Sequence, residues 1–277
     1  MKINRYGSPE TRPKGFPSGF STTKYSMKLK LLNLNILKGE FLPQILDFVK
    51  KEQFDILHFQ EVAGGKIAKD NIDCFSVIEK ETGMTGFMPK AWHLPGDPSA
   101  YFGNATFYHP RFHLQKKETV WLYDFAEIDY PRIPIENHPR NAVSLLFEFE
   151  GKKIYFLNTH QAWGPTPVDT PLKLEQGNKL YEYLKTLEHP FVLSGDFNVP
   201  PTSQVIQKID TLATNLTTQH HLTNTLNPRT HKAKVLFPAG LAVDFIFVSD
   251  SLKVDNFKLI DDIDLSDHFG LSLQLTI

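Results

Sequence analysis

The 277-residue sequence holds a single cysteine, Cys74, so no intrachain disulfide can form. That suits a reducing compartment and excludes a Cys-rich closed zinc site. No run of about 18 apolar residues occurs, which excludes a membrane-spanning helix. The opening residues, Met1 to Tyr6, lack the apolar stretch of a secretion signal, and a cytoplasmic protein is expected. Excess charge is missing as well: 30 Lys and Arg stand against 31 Asp and Glu, a formal charge of −1. Coating of nucleic acid by charge alone is thereby excluded. A polyanionic substrate would have to be held by a local patch or a metal ion.

What is present is the material of a sheet-rich core. Hydrophobic residues make up 41% of the chain, with 22 Phe, and β-branched and aromatic runs recur. Residues 1–26 differ: they are rich in Gly, Pro, Ser and Thr, carry no hydrophobic period and read as an extended or disordered arm. Met27, directly before the first strand-like run, is a candidate start. From there strand-like and helix-like segments alternate. Strands are expected over 29–35, 55–60, 87–92, 101–108, 112–123, 142–150, 153–159, 191–194, 243–248, 256–260 and 269–276, and helices over 40–52, 71–82, 172–187 and 203–209. No repeat or long linker interrupts them. Residues 27–277 therefore read as one α/β (α+β) domain with much antiparallel sheet.

The residues that carry chemistry stand at the edges of these runs, where catalytic groups commonly project from a sheet. Asn35 closes the first strand and Glu61 follows the second. Asn158-Thr159-His160 ends another. In Ser194-Gly195-Asp196-Phe197-Asn198 an apolar strand delivers a glycine turn, then an Asp and an Asn two apart, which in an extended segment face one way. Asp244 opens an apolar run, a costly place for an unpaired carboxylate. Ser266-Asp267-His268 sets a hard metal ligand beside an imidazole. Taken singly each has an ordinary structural reading; six such coincidences do not.

In their order along the chain, Gln60-Glu61, Asn158-Thr159-His160, Gly195-Asp196-Phe197-Asn198 and Ser266-Asp267-His268 resemble the signatures of the endonuclease/exonuclease/phosphatase superfamily, the deoxyribonuclease-like metallophosphoesterases. The resemblance covers nearly all of residues 28–277. It implies a four-layer α/β/β/α sandwich of two mainly antiparallel sheets, with the active site at one edge. It implies Mg²⁺, with Mn²⁺ an alternative, held by Glu61, Asp267 and Asn35. It further implies that Asp196 and Asn198 manage the water and the phosphate oxygens, that Asp196 or His268 takes the proton of the water, that Asp244 orients His268, and that His160, His268 and Asn198 donate to the phosphate. Arg140 is a candidate phosphate clamp, Asn104 a candidate substrate contact and Trp163 a candidate stacking platform.

Substrate is less legible. Gln60-Glu61-Val62 and His160 depart from the abasic-site endonucleases, and Val243 and Phe245 flank Asp244 where inositol phosphatases have Cys and Arg. The adduct-removing enzymes have Ser-His-Leu where Thr159-His160-Gln161 stands here. A monomeric phosphodiesterase acting on nucleic acid is expected, with Lys28, Lys30, Lys38 and Arg140 as a basic rim. A small-molecule or lipid-headgroup phosphodiesterase or phosphatase is the alternative. A catalytically dead interaction domain would have lost site residues, and none is missing.

Overall fold

The structure, a computed structural model, describes residues 27–232 and 237–277. The expected arm over 1–26 lies outside the described residues. In chain order the elements are β1 (Lys28–Asn35), α1 (Leu42–Glu52), β2 (Ile56–Ala63), α2 (Cys74–Thr82), β3 (Thr85–Phe87), β4 (Lys90–Leu94), β5 (Asp97–Tyr108) and β6 (His113–Tyr123). There follow β7 (Ala126–Glu127), β8 (Arg140–Phe149), β9 (Lys152–His160), α3 (Pro171–Lys185), β10 (Phe191–Asp196), α4 (Gln204–Ile209), β11 (Thr214–Asn215) and α5 (Leu216–Gln219). β12 (Asp244–Val248), β13 (Lys253–Ile260) and β14 (Gly270–Thr276) close the chain.

The strands form two sheets. One runs β13-β14-β1-β2-β5-β4-β7, with β3 also on β5; the other runs β11-β12-β10-β9-β8-β6. Each is mainly antiparallel and holds one parallel pair joined by a helix, β1–α1–β2 in the first and β9–α3–β10 in the second, and at the edge of the first sheet β7 also runs parallel to β4. A parallel pair needs such a crossover. Ligand sites in α/β proteins gather outside the carboxyl ends of parallel strands, and here those of β1, β2, β9 and β10 bring Asn35, Glu61, His160 and Asp196 to one edge.

Strand periodicity sorts the core into three apolar layers. Leu32 and Leu34 of β1 face α1 and α2, with Leu57 and Phe59 of β2. Leu29, Leu31, Ile56, Phe156 and Val192 fill the space between the sheets. Leu157 and Leu193 face α3 and α4. The result is the α/β/β/α sandwich that the resemblance implies.

The space between the sheets changes character along its length. On β1 the inward side chains pass from Leu29 and Leu31 to Asn33 and Asn35, on β2 from Ile56 to His58 and Gln60, and on β9 from Ile154 and Phe156 to Asn158 and His160. The polar halves bond across the sheets. Gln60 Nε2 donates to Asn158 Oδ1 at 2.7 Å and to Asn33 Oδ1 at 2.9 Å, and His58 Nδ1 lies 2.7 Å from Ser194 Oγ. Asn158 Nδ2 donates to the carbonyls of Phe59 and Ala105. These bonds tie the two sheets together in a polar floor under the site, in which Asn33 Nδ2, His58 Nε2 and Gln60 Oε1 are left without a partner.

Several boundaries differ from expectation for local reasons. The first helix starts at Leu42 because Leu37–Gly39 form a separate turn ending in the left-handed Gly39, φ 82°. α2 starts at Cys74 because Asp73 caps it, accepting the Ser76 N–H at 3.1 Å. β2 does not stop at Gln60 but runs on to Ala63 through a bulge. Among the described residues no helix is long and apolar enough to cross a membrane.

Candidate active site

The bulge is the first positioning device. Along β2 the partners on β5 shift between Phe59 and Val62, so Gln60 and Glu61 together oppose Asn104, and Glu61 adopts φ 55°. The extra residue turns a side chain off the regular alternation, and Glu61 lines the cleft at the sheet edge. Its Oε2 is buried without a hydrogen-bond partner. The nearest cation is Lys38 Nζ, 3.6 Å away. Glu61, with help from Tyr130 and Asp267, raises the Lys38 pKa against the pull of burial.

Asp196 is the centre of the site and is 1% exposed. Its Oδ2 accepts from Asn35 Nδ2 at 3.1 Å and lies 3.5 Å from His160 Nε2 and 3.8 Å from His268 Nε2. Its Oδ1 accepts the Asn198 N–H at 2.9 Å. This Asp-to-backbone turn, not an extended i and i+2 pair, brings Asp196 and Asn198 to one cleft, since β10 ends at Asp196 and Asn198 has φ 54°. Asn198 Nδ2 donates to the Gln161 carbonyl at 3.1 Å, and the buried Lys173 Nζ donates to the Asn198 carbonyl at 2.9 Å. Asn35 is locked in one orientation, its Oδ1 taking the Leu37 N–H at 3.1 Å.

His268 Nδ1 lies 2.9 Å from Asp244 Oδ2, which also accepts Thr225 Oγ1 at 2.6 Å. Burial opposes a charge on His268, but Asp244 and Asp196 together outweigh it and hold the imidazole pKa well above its ordinary value. Burial pushes the Asp196 carboxyl upward; His268 opposes this and Asp244 adds to it. His160 behaves oppositely: burial, Arg140 and His268 keep its pKa well below the ordinary value, so its ring is neutral.

Arg140 is 2% exposed, and its Nε and Nη1 have no hydrogen-bond partner. The guanidinium sits 5.6 Å from the centre of the Phe102 ring. Burial lowers its pKa to about 10, which leaves it charged at neutral pH. An unpaired buried cation is costly, and this one lines the same cleft of about 160 Å³ as Asp196 and His268. Trp163 stands at the mouth, 39% exposed.

The cleft thus gathers Asn35, Glu61, Arg140, His160, Trp163, Asp196, Asn198, Asp267 and His268. Asp244 sits behind His268. Asn104 is not brought to the cleft: it is buried opposite the bulge, and its amide donates to the Asn141 carbonyl at 2.8 Å. The expected basic rim is also reduced. Lys28 and Lys30 lie at the other end of β1, about 20 Å from Asn35 at strand rise, and Lys30 pairs with Glu52 at 2.7 Å. Only Lys38 and Arg140 of the four line the cleft. Thr225, Lys173 and His231 had no signal in the sequence, because loops and a helix carry them to the site without a chemical motif.

The profile of the Endonuclease/Exonuclease/phosphatase family matches residues 32–268. The chain belongs to this family. The endonuclease/exonuclease/phosphatase fold recurs in an endonuclease/exonuclease/phosphatase from Bacteroides vulgatus, with TM-score 0.69, 18% identity, and 90% of this chain and 98% of that one covered. The human Nocturnin catalytic domain with bound sulfate is similar at TM-score 0.67 and 19% identity, covering 90% and 94%. A mannosyl-6-phosphatase from Bacteroides thetaiotaomicron is similar at TM-score 0.61 and 20% identity, covering 90% and 100%. A search of the curated proteins finds no match.

Proposed function

We propose that this family member is a divalent-metal-dependent phosphodiesterase whose substrate is nucleic acid, working as a monomer in the cytoplasm. The observation that carries the phosphoester reading is Arg140: a buried guanidinium with two unpaired N–H groups, in one cleft with a carboxylate–imidazole pair. A bound phosphate would supply the missing acceptors.

The donor set fits a hard cation. Glu61 offers a buried oxygen that makes no hydrogen bond and has Lys38 as its counter-charge at 3.6 Å, Asp267 a second carboxylate and Asn35 an amide oxygen that also takes the Leu37 N–H, a set suited to Mg²⁺ or Mn²⁺. Such an ion supplies charge stabilisation to the phosphate and its leaving oxygen. The protein's own groups do the rest. Asp196 Oδ2, held by Asn35, accepts a proton from the attacking water. His268 keeps a proton on Nε2 because Asp244 stabilises the charged ring, and donates a hydrogen bond to a phosphate oxygen. Neutral His160 and the Asn198 amide orient the phosphate, and Arg140 compensates its charge.

Nucleic acid is favoured by Trp163 at the mouth, placed to stack on a base, and by similarity to D. rerio TDP2 complexed with single strand DNA product, at TM-score 0.66 and 15% identity. The thin basic rim and the similarity to a mannosyl-6-phosphatase favour the second reading, a small-molecule or lipid-headgroup phosphoesterase. A panel of single- and double-stranded DNA, RNA, phosphoinositides, sphingomyelin and a chromogenic diester, each with Mg²⁺, Mn²⁺ or EDTA, separates them. The proposal expects turnover of a nucleic acid that EDTA abolishes. Turnover of small phosphoesters alone selects the second reading, and turnover indifferent to EDTA defeats the metal requirement.

A further inference from the structure

His231 has no part in the reaction above, yet it completes a second group of donors. His231, Asp267 and His268 each present a ligand atom, and these atoms lie within 4.8 Å of one another. The two imidazole rings are 5.9 Å apart, centre to centre.

The placement of His231 is built into the fold. The segment before it is laced to the segment before His268. Asn227 Nδ2 donates to Asp264 Oδ1 at 2.8 Å and to the Ser266 carbonyl at 3.0 Å, and Thr230 Oγ1 donates to that same carbonyl at 2.8 Å. The Asn227 N–H bonds the Asp267 carbonyl and the His231 N–H bonds the Asn227 carbonyl, both at 2.8 Å. Leu226 and His268 are paired in an antiparallel bridge. His231 is half-buried, and the segment leading to it is held against the segment leading to His268.

The chemistry of the trio differs from that of the Glu61 group. Asn35, Glu61 and Asp267 offer oxygen alone, whereas this trio offers two imidazoles and one carboxylate. Nitrogen donors favour borderline ions such as Zn²⁺ and Co²⁺ over Mg²⁺. His268 also has the outer support of a metal-ligating histidine: its Nδ1 is bonded to Asp244, which Thr225 holds in turn.

We propose that His231, Asp267 and His268 form a transition-metal site, distinct from the oxygen-donor group at Glu61 and sharing Asp267 with it. The inference rests on chelation geometry; it shares Asp267 and His268 with the groups proposed for hydrolysis, so an ion held here and the His268 hydrogen bond to phosphate are alternatives.

The test is direct metal binding to the full chain, stripped of ions and titrated with Co²⁺ and with Mg²⁺ by equilibrium dialysis. The expected result is one Co²⁺ per chain that an excess of Mg²⁺ of about 10-fold does not displace. His231→Gln weakens Co²⁺ by about 10-fold or more, while Mg²⁺ binding is unchanged. Glu61→Gln leaves the Co²⁺ stoichiometry intact. X-ray absorption of the Zn²⁺-loaded wild type, which needs no variant, shows two imidazole ligands. Unchanged Co²⁺ affinity in His231→Gln, loss of Co²⁺ in Glu61→Gln, or fewer than two imidazoles on Zn²⁺ overturns the proposal.

Discussion

Gly195 carries no side chain because none fits: a Cβ there would lie 2.0 Å from the Thr159 carbonyl oxygen. This close approach of β10 to β9 sets Asp196 beside His160. Gly195→Ala is expected to destabilise toward the upper end of the ~1–3 kcal/mol cost of overpacking, read as a lower urea midpoint; an unchanged midpoint would refute the close approach. His58, buried in the polar floor, has its pKa pushed down to about 3 by burial. The folded value lies below the unfolded one, so the unfolded chain binds more protons below about pH 6.5. Stability is thus full above that pH and falls as pH drops toward 3. Between pH 7.5 and 5 the wild type is expected to lose about 2 kcal/mol more than His58→Gln, measured by urea unfolding at both values. Equal losses would show that His58 titrates normally. At this scale much was legible in the sequence: Asp196, His268, Glu61 and Asn35 combine a reactive side chain with a strand edge. Asn104 has the same appearance and a different fate, because β5 runs past it and the bulge of β2 sits opposite, turning its amide to Asn141.

Strands β1, β2, β9 and β10 each read as apolar runs, and their alternation predicted which faces are buried. It could not predict which polar residue on the inner face meets which across the two sheets, since that depends on how the sheets stack. Gln60 illustrates this: it looked like part of a catalytic motif, and it is a bridge between sheets. Gln60→Leu removes donors from Asn33 and Asn158 and leaves two buried acceptors unpaired. The expected cost is about 2–4 kcal/mol in urea unfolding, with a fall in activity from misplacement of Asn35 and Glu61. A cost under about 0.5 kcal/mol, the range of neutral surface changes, would mean the floor does not hold the strands. The bulge was equally invisible, because one inserted residue in an apolar run changes no composition. It moved Glu61 from the end of a strand into its interior while leaving its place in the cleft.

Over the whole molecule, a formal charge of −1 leaves attraction to phosphate local. The fold sharpens this: two of the four expected rim cations stand at the far end of β1, and among the described residues the Lys and Arg side chains lining the cleft are Lys38 and the buried Arg140. Binding of a single-stranded oligonucleotide is therefore expected to show a shallow salt dependence, a slope of about −1 to −2 in log K against log salt. Fluorescence anisotropy between low and physiological salt checks it, and a slope steeper than about −5 would reveal a basic surface outside the cleft. The central claim is that one edge of the sandwich hydrolyses phosphoesters through Asp196, His268 and a cation at Glu61. Its most direct test is the rate of phosphodiester hydrolysis by wild type, Glu61→Ala, Asp196→Ala and His268→Ala in Mg²⁺, each verified as folded. The account predicts a loss of about 10²-fold or more in each variant, and near wild-type turnover by any of the three would contradict it.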